Sequence, residues 1–457
     1  MPILSRQPAF TVRRSDFPKD FVFGSSTSAY QIEGSSFGGC GSSHWDSFAA
    51  SKGNVANFEN GSIACDHYTR WEGDLDLMKD LGLDAYRFSS SWARILPQAN
   101  GETNKEGLDF YDRLVDGLLE RGIAPHLTLY HWELPSYLAD IGGWRNRDVG
   151  DYFADYAEIM IKCLGDRLAS VATFNEPWCV TWLSHYHGMH APGLRDIRAA
   201  SRTAHLVPVA HGKAMAAMRA LGQEELGVVL NFEHTSPYDD KPSSAKAAEL
   251  EEGILNRWFL SAFTKGKYPD TVLDHIEAYL PNNWQDDMAQ IATPIDWMGV
   301  NYYTRTLVSA GESHLGSALP LSITHHGGLP RTEMDWEVFP EGLGEILCWI
   351  RDNYTHDTPL AITENGMANK DMLVGDAVDD QERIAYLDAH FNSALKAIDK
   401  GVPLKAYFVW SLMDNFEWSF GFDKRFGIIH VDFDSLQRTP KASYHALQHM
   451  LSHEKPH

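Results

Sequence analysis

Residues 71–89, WEGDLDLMKDLGLDAYRFS, carry an amphipathic helix, a glycine stop and a short apolar strand in that order. Trp71, Leu75, Met78 and Leu81 share one helical face. Gly82 closes the helix, and Asp84–Ser89 reads as a strand. The same unit recurs along the chain. Phe110, Leu114, Leu118 and Leu119 form a stripe, Gly122 ends it, and Ala124–Tyr130 follows. Tyr152, Tyr156, Met160 and Leu164 precede Gly165 and Ser170–Asn175. Gly222 precedes Gly227–Phe232, and Gly401 precedes Leu404–Ser411. Glycine suits each stop because it enters the left-handed conformation at no steric cost. Strands Phe21–Thr27, Asp296–Tyr302 and Pro359–Glu364 bring the number to eight. Strands alternating with helices imply parallel βα units, and eight such units imply an α/β chain folded as a single (β/α)8 TIM barrel over residues 1–457. A doubly wound open sheet is the alternative, but no GxGxxG or P-loop follows any strand. The stretches Gly41–Cys65 and Ser309–Thr332 are rich in Gly, Ser and Asn and read as extended loops that rim a pocket.

Bulk composition narrows the function. The 457 residues carry 39 Lys and Arg against 62 Asp and Glu, a formal charge of -23. Such a surface repels phosphate backbones, so nucleic acid is not an expected partner. The cysteines, Cys40, Cys65, Cys163, Cys179 and Cys348, are odd in number and form no CxxC pair. That argues against a disulfide framework and a zinc ribbon, and makes a reducing cytoplasm the simplest location. Neither a signal-peptide core nor an apolar run of membrane-spanning length is seen, so no membrane partner is expected. A homo-oligomer is compatible with these numbers.

Chemistry in such barrels sits where strands end. Gln31 and Glu33 follow the first strand, and Arg87 ends the second. His131 and Trp132 end the third, and Asn175 and Glu176 the fourth. Asn301 and Tyr303 end the sixth, and Glu364 and Asn365 the seventh. Trp410, Glu417 and Trp418 cluster after the eighth. A lone strand-end Glu is ordinarily a cap or a surface charge. So many polar and aromatic residues at one end describe a cleft for a sugar, with hydrogen bonds for its hydroxyls and flat rings for its C–H faces. Glu176 and Glu364 each sit at a strand terminus, and glycoside hydrolysis requires two carboxyls flanking one bond. Paired carboxylates also bind metals, but no HExxH or ordered His/Asp set surrounds these. The histidines within Leu183–His190 read as satisfied surface residues of a loop, and no GxSxG elbow is present.

The segments ACDHY (64–68), YRFSSSWARILP (86–97), TLYHWELP (128–135), TFNEPW (173–178), HAPG (190–193), ITENG (362–366) and WSLMDNFEWSFGFDKRFGI (410–428) resemble those of the family 1 glycoside hydrolases. The resemblance runs from Phe17 to Tyr444. It implies a retaining β-glycosidase that acts on terminal β-glucosides and tolerates galactosides and fucosides, with no cofactor or metal. Glu176 matches the family's acid/base and Glu364 its nucleophile. Arg87 and Tyr303 match residues that touch the nucleophile, and Asn175 one that binds the sugar's 2-hydroxyl. Gln31, His131, Glu417 and Trp418 match residues for the other hydroxyls, and Trp410 matches the ring beneath the sugar. Trp336 matches an aromatic on the aglycone side. Trp132, Asn301 and Phe426 complete the expected substrate-binding set. The family's phospho-glycosidases use a Lys and a Tyr downstream of a Ser; here Lys424 is present, but Glu417 and Phe426 occupy the other two places. A sugar-binding protein without catalysis and a transglycosidase are the rival readings.

Overall fold

The computed structural model describes residues 9–312 and 319–452. Eight strands alternate with helices: β1 Val22–Ser26, β2 Ala85–Ser89, β3 Ala124–Tyr130, β4 Ser170–Asn175, β5 Leu226–Pro237, β6 Trp297–Ala310, β7 Leu360–Asn365 and β8 Leu404–Trp410. Each pairs in parallel with the next, and β8 pairs with β1, so the sheet closes into a barrel. The floor of the barrel interior is filled by Ala85, Ala172, Val229, Trp297, Ala361, Ala406 and Phe408.

The helical stripes pack outside this sheet. In α1 (His67–Leu81) Leu75, Met78 and Leu81 are buried. In α2 (Lys105–Glu120) Phe110, Leu114 and Leu118 are buried, but Leu119 is 43% exposed because Val115 and Leu118 take the inward places of that turn. In α3 (Val149–Leu164) Tyr152 is exposed, and Phe153, three residues before Tyr156, packs inward in its stead. Each buried side chain of this size contributes about 1.5–3 kcal/mol. Gly82, Gly122, Gly222 and Gly401 adopt φ between 74° and 84°, as a left-handed stop requires. Gly165 is different, at φ -57°. A Cβ there would approach the Ile161 carbonyl to 2.7 Å, so crowding rather than handedness demands glycine.

Several boundaries differ from the sequence reading. β5 and β6 continue past the barrel rim as a two-stranded ribbon, Gly227↔Trp297 to Pro237↔Val308. Ser322–His325 adds an antiparallel strand to β6, so part of Ser309–Thr332 is sheet rather than loop; residues 313–318 of it lie outside the described residues. Gly41–Cys65 contains the helix His44–Ala50, capped by the Ser43 hydroxyl and the Asp46 carboxylate. Arg87 lies inside β2 rather than at its end, and Asn301 well within β6. Among the described residues no helix is long and apolar enough to cross a membrane.

A buried charge cluster ties the last βα loop to the barrel. The fully buried Lys441 ammonium donates to Asp414 (2.7 Å) and to Asp371. Arg383 donates to Asp371 (2.6 Å) and Asp380, and Arg425 to Asp414 (2.6 Å). Asp414 also accepts from the Gly427 amide (3.0 Å), which pins the loop carrying Glu417 and Trp418. Removing one partner of such a cluster leaves buried charge uncompensated. Lys441→Met is therefore expected to cost about 3–5 kcal/mol of stability, seen as a lower urea midpoint, whereas an unchanged midpoint would mean that the cluster is not holding this loop.

Candidate active site

The strand ends converge on a cleft of about 290 Å3 at the C-terminal mouth of the barrel. His131, Trp132, Glu176, Tyr303, Trp336, Glu364, Trp410, Glu417, Trp418 and Phe426 all line it. Gln31, Arg87, Asn175 and Asn301 are buried beneath and bond to the lining side chains. Two strand-end residues do not reach it: Glu33 pairs with Arg94 (3.0 Å) and Tyr111 (2.8 Å), and Asn365 donates to the Tyr302 carbonyl (2.6 Å). A second cavity of about 220 Å3 opens at the opposite end, bordered by Asp20, Glu225 and Lys405; none of the aligned strand-end carboxyls faces it.

Local backbone aims the two glutamates. Glu176 follows directly on β4 in the left-handed region, φ 48°, and its amide donates to the Val229 carbonyl (2.9 Å). A non-glycine residue there costs about 1–3 kcal/mol, which the surrounding packing must offset. Glu364 is the penultimate residue of β7, two before Gly366, where an added Cβ would sit 1.7 Å from the Trp410 carbonyl. Only glycine lets the β7 loop pass this close to the ring-bearing end of β8.

One hydrogen-bond chain joins the two carboxyls. Arg87 Nη1 donates to Glu364 Oε1 (2.7 Å), and Tyr303 donates its hydroxyl proton to Oε2 (2.7 Å). Arg87 Nη2 donates to Asn175 Oδ1 (2.8 Å). Asn301 Nδ2 donates to that same oxygen (3.1 Å) and to Glu176 Oε1 (2.7 Å). Thr363 holds Asn301 by donating to its Oδ1 (2.6 Å). Asn175 Nδ2 lies 3.1 Å from His131 Nε2, and burial keeps that imidazole neutral, well below its usual pKa, so it accepts. Gln31 Nε2 donates to Asn415 (2.9 Å), to the Phe416 carbonyl (2.9 Å) and, at 3.5 Å, to Glu417.

The carboxyls differ because their surroundings differ. Burial and the neighbouring Glu364 charge push Glu176 up to about 8. Burial also lifts Glu364, but Arg87, Tyr303 and Asn301 pull it back. Glu364 alone touches a guanidinium, so it loses its proton first and Glu176 keeps one at neutral pH. Glu417 is pushed up to about 8, first by burial and then by the Glu364 charge. In the open cleft at neutral pH it is therefore mostly a neutral acid that can donate as well as accept. The aromatic walls are two groups. Trp132 and Trp418 meet at 4.7 Å with His190 behind them, and Trp336, Phe426 and Tyr303 cluster opposite around Trp410.

Some site residues escape a sequence reading. His185 and His190 are buried rather than on the surface, and His190 lines the cleft. Among the described residues no group of His, Cys, Asp and Glu is arranged to hold a metal ion. Cys179 donates its thiol proton to Glu176 Oε2 (3.0 Å) from a π-helical turn, Cys179–Leu183. Its spacing of three from Glu176 on a helical stretch was the available signal. Asn231 and Glu233 enter the cleft from the β5 extension, which carries no motif.

The glycosyl hydrolase family 1 model matches residues 13–456. The chain belongs to glycosyl hydrolase family 1. It is 44% identical over 432 residues to beta-glucosidase A of Thermotoga maritima, covering 93% of this chain and 96% of that one. It is 42% identical over 453 residues to a bifunctional beta-D-glucosidase/beta-D-fucosidase of Bifidobacterium breve, covering 94% and 96%. The solved family 1 β-glucosidase of T. maritima superposes with a TM-score of 0.92 at 43% identity, covering 96% of this chain and 98% of that one. Another structure of that protein, in complex with isofagomine lactam, gives the same TM-score. The fold of this family 1 member is accordingly the closed (β/α)8 barrel.

The Cys179 contact carries a directional consequence. A thiol donating to Glu176 stabilises the carboxylate and so lowers its pKa. Cys179→Ala should raise the Glu176 pKa above about 8, read by carbon-13 NMR titration of labelled glutamate. A fall, or no change, would mean that the thiol does not stabilise the charged form.

Proposed function

We propose that this family 1 glycosyl hydrolase is a retaining β-glucosidase in which Glu364 is the nucleophile and Glu176 the acid/base. One observation carries the reading: two carboxyls share a cleft and a hydrogen-bond chain, yet only one of them touches a cation. A glycosidase needs that asymmetry, an ionised group to attack and a protonated group to donate.

In the first step a Glu364 oxygen attacks the anomeric carbon. The bond to the leaving oxygen breaks, and Glu176 gives that oxygen its proton. In the second step water attacks the same carbon, Glu176 takes a proton from it, and the ester to Glu364 breaks. Two inversions return the starting configuration. Asn175, held between Arg87 and Asn301, is placed to bind the 2-hydroxyl, a bond that strengthens as charge develops on the ring. Gln31, His131, Glu417 and Trp418 take the remaining hydroxyls, with Trp410 beneath the ring. Asn301 holds Glu176 from beneath the sugar's position. Trp132, Trp336 and Phe426 supply apolar walls.

Glucosides fit best, with galactosides and fucosides tolerated, because inverting one hydroxyl or deleting the 6-hydroxyl alters a single bond. The relatives named for glucosidase and fucosidase activity support glucosides and fucosides within this range. A 6-phosphate is disfavoured. The Lys424 ammonium is engaged by the Glu333 carbonyl (2.6 Å), and among the described residues no Lys or Arg lines the cleft. The whole of residues 1–457 acts as a single barrel domain in this reading. A reducing cytoplasm suits its five free cysteines.

The test uses the proton. In wild type the basic limb of kcat/KM for an alkyl β-glucoside should fall near pH 8, where Glu176 loses its proton. Activity is present below that pKa and lost above it. Glu176→Ala should reduce alkyl glucosides by at least about a hundredfold, while glycosylation by a dinitrophenyl glucoside, which needs no proton, persists without the basic limb. Azide should speed its turnover by capturing the intermediate. A basic limb that survives in Glu176→Ala would transfer the acid role to Glu417.

A further inference from the structure

The ribbon formed by β5 and β6 beyond the barrel builds a second polar edge in the cleft. Opposite Phe232–His234 the pairing slips, because Phe232 faces Tyr302 while His234 faces Arg305. The extra residue on β6 makes a bulge, and Tyr303 and Thr304 both turn toward the cleft. Glu233 sits across from them. Its backbone is clamped by Asn256, which accepts from its amide (3.1 Å) and donates to its carbonyl (2.8 Å). Its Oε2 accepts from the Thr306 hydroxyl. Among the described residues nothing bonds its other carboxyl oxygen or the side-chain amide of Asn231, and both residues line the cleft. Cys179, which donates to Glu176, feels the Glu233 charge, so this edge is on the Glu176 side of the cleft, whereas Gln31 bonds to Glu417.

The charge balance there is one-sided. Glu176, Glu233, Glu364 and Glu417 all line the cleft, and no lining residue is a Lys or Arg. Arg87, beneath it, is committed to Glu364. The cations near Glu233 are also taken, Arg305 by Glu337 (2.7 Å) and Arg257 by Glu252. The next acid, Glu251, accepts from Ser322 (3.0 Å) and adds to the negative field.

We propose that Glu233 selects the leaving group by charge, favouring aglycones that carry a protonated amine, such as an amino sugar or an aminoalkyl aryl group, and rejecting those that carry a carboxylate. The inference rests on the functional reading above, which puts the leaving group on the Glu176 side. A protonated amine supplies donors to the free Glu233 oxygen and to the Asn231 carbonyl, and gains from a partly desolvated carboxylate several ångströms away. A carboxylate offers no donor and meets repulsion, so discrimination has both an attractive and a repulsive part.

Three aryl β-glucosides with para-aminomethyl, methyl and carboxyl groups test this, with each ratio compared between two enzymes so that differences in phenol acidity cancel. Burial and Glu251 lift Glu233 to about 7, so kcat/KM is compared about one pH unit higher, where the carboxyl is charged. Wild type should prefer the aminomethyl over the carboxyl substrate by at least about tenfold, with the methyl substrate between them. In Glu233→Gln the same ratio should shrink to within about threefold; a ratio taken within one enzyme cancels any general loss. An unchanged ratio in Glu233→Gln, or a wild type indifferent to the substituents, overturns the inference while leaving the glucosidase reading intact. No turnover of any of the three by wild type overturns that reading and this inference with it.

Discussion

The contact between Arg87 and Glu364 organises the site. A carboxylate this deeply buried would take up a proton unless a cation met it, and the guanidinium meets it at 2.7 Å. The second arm of the same guanidinium fixes Asn175, which aligns Asn301, which in turn holds Glu176. One planar group therefore sets the charge of one carboxyl and the position of the other. An ammonium could not do this, since it lacks the fork that spans two acceptors in fixed geometry. The barrel supports the arrangement by burying Arg87 within β2, where its stem is fixed by close packing and its Nε donates to Thr128 (3.2 Å).

The cleft around that contact holds more acid than it can ionise. Four carboxyls face one space, and only Glu364 has a guanidinium. The others retain protons into the neutral range chiefly through burial, helped by a nearby carboxylate, Glu364 for Glu176 and Glu417 and Glu251 for Glu233. In the proposed function, proton location, rather than shape alone, divides the cleft into an attacking group, a donating group and two ends that read different parts of a substrate. Glu417 in this state is an amphoteric hydrogen-bonding partner for a sugar, not the fixed anion its residue type suggests.

Much of this was legible in the sequence. The strands were visible because each apolar run follows an amphipathic helix with a glycine stop, and side chains such as Leu75 and Met160 keep the helical period. Glu176 and Glu364 were visible because each directly abuts a strand. What was hidden had physical reasons. LNFEHTSP, in the β5 extension, has polar residues on both faces, so the strand signal fades where the ribbon leaves the core. The bulge opposite Glu233 depends on pairing between distant segments. The inward turn of Phe153 in place of Tyr152 depends on how a helix enters its packing. Cys179 looks like any helical cysteine, because its spacing of three from Glu176 does not tell that the pair is buried against a catalytic cleft. The proton held by Glu417 depends on burial and on neighbours from three other strands.

In the proposed function Glu364, held ionised by Arg87, forms the bond to the sugar. The direct measurement is peptide mapping by mass spectrometry after incubation with a dinitrophenyl 2-deoxy-2-fluoro-β-glucoside, which slows release of any covalent intermediate. A single fluoroglucosyl adduct is expected, on the peptide containing Glu364 and on that side chain. An adduct on Glu176 or Glu417, or release of the phenol with no adduct on the protein, would contradict it.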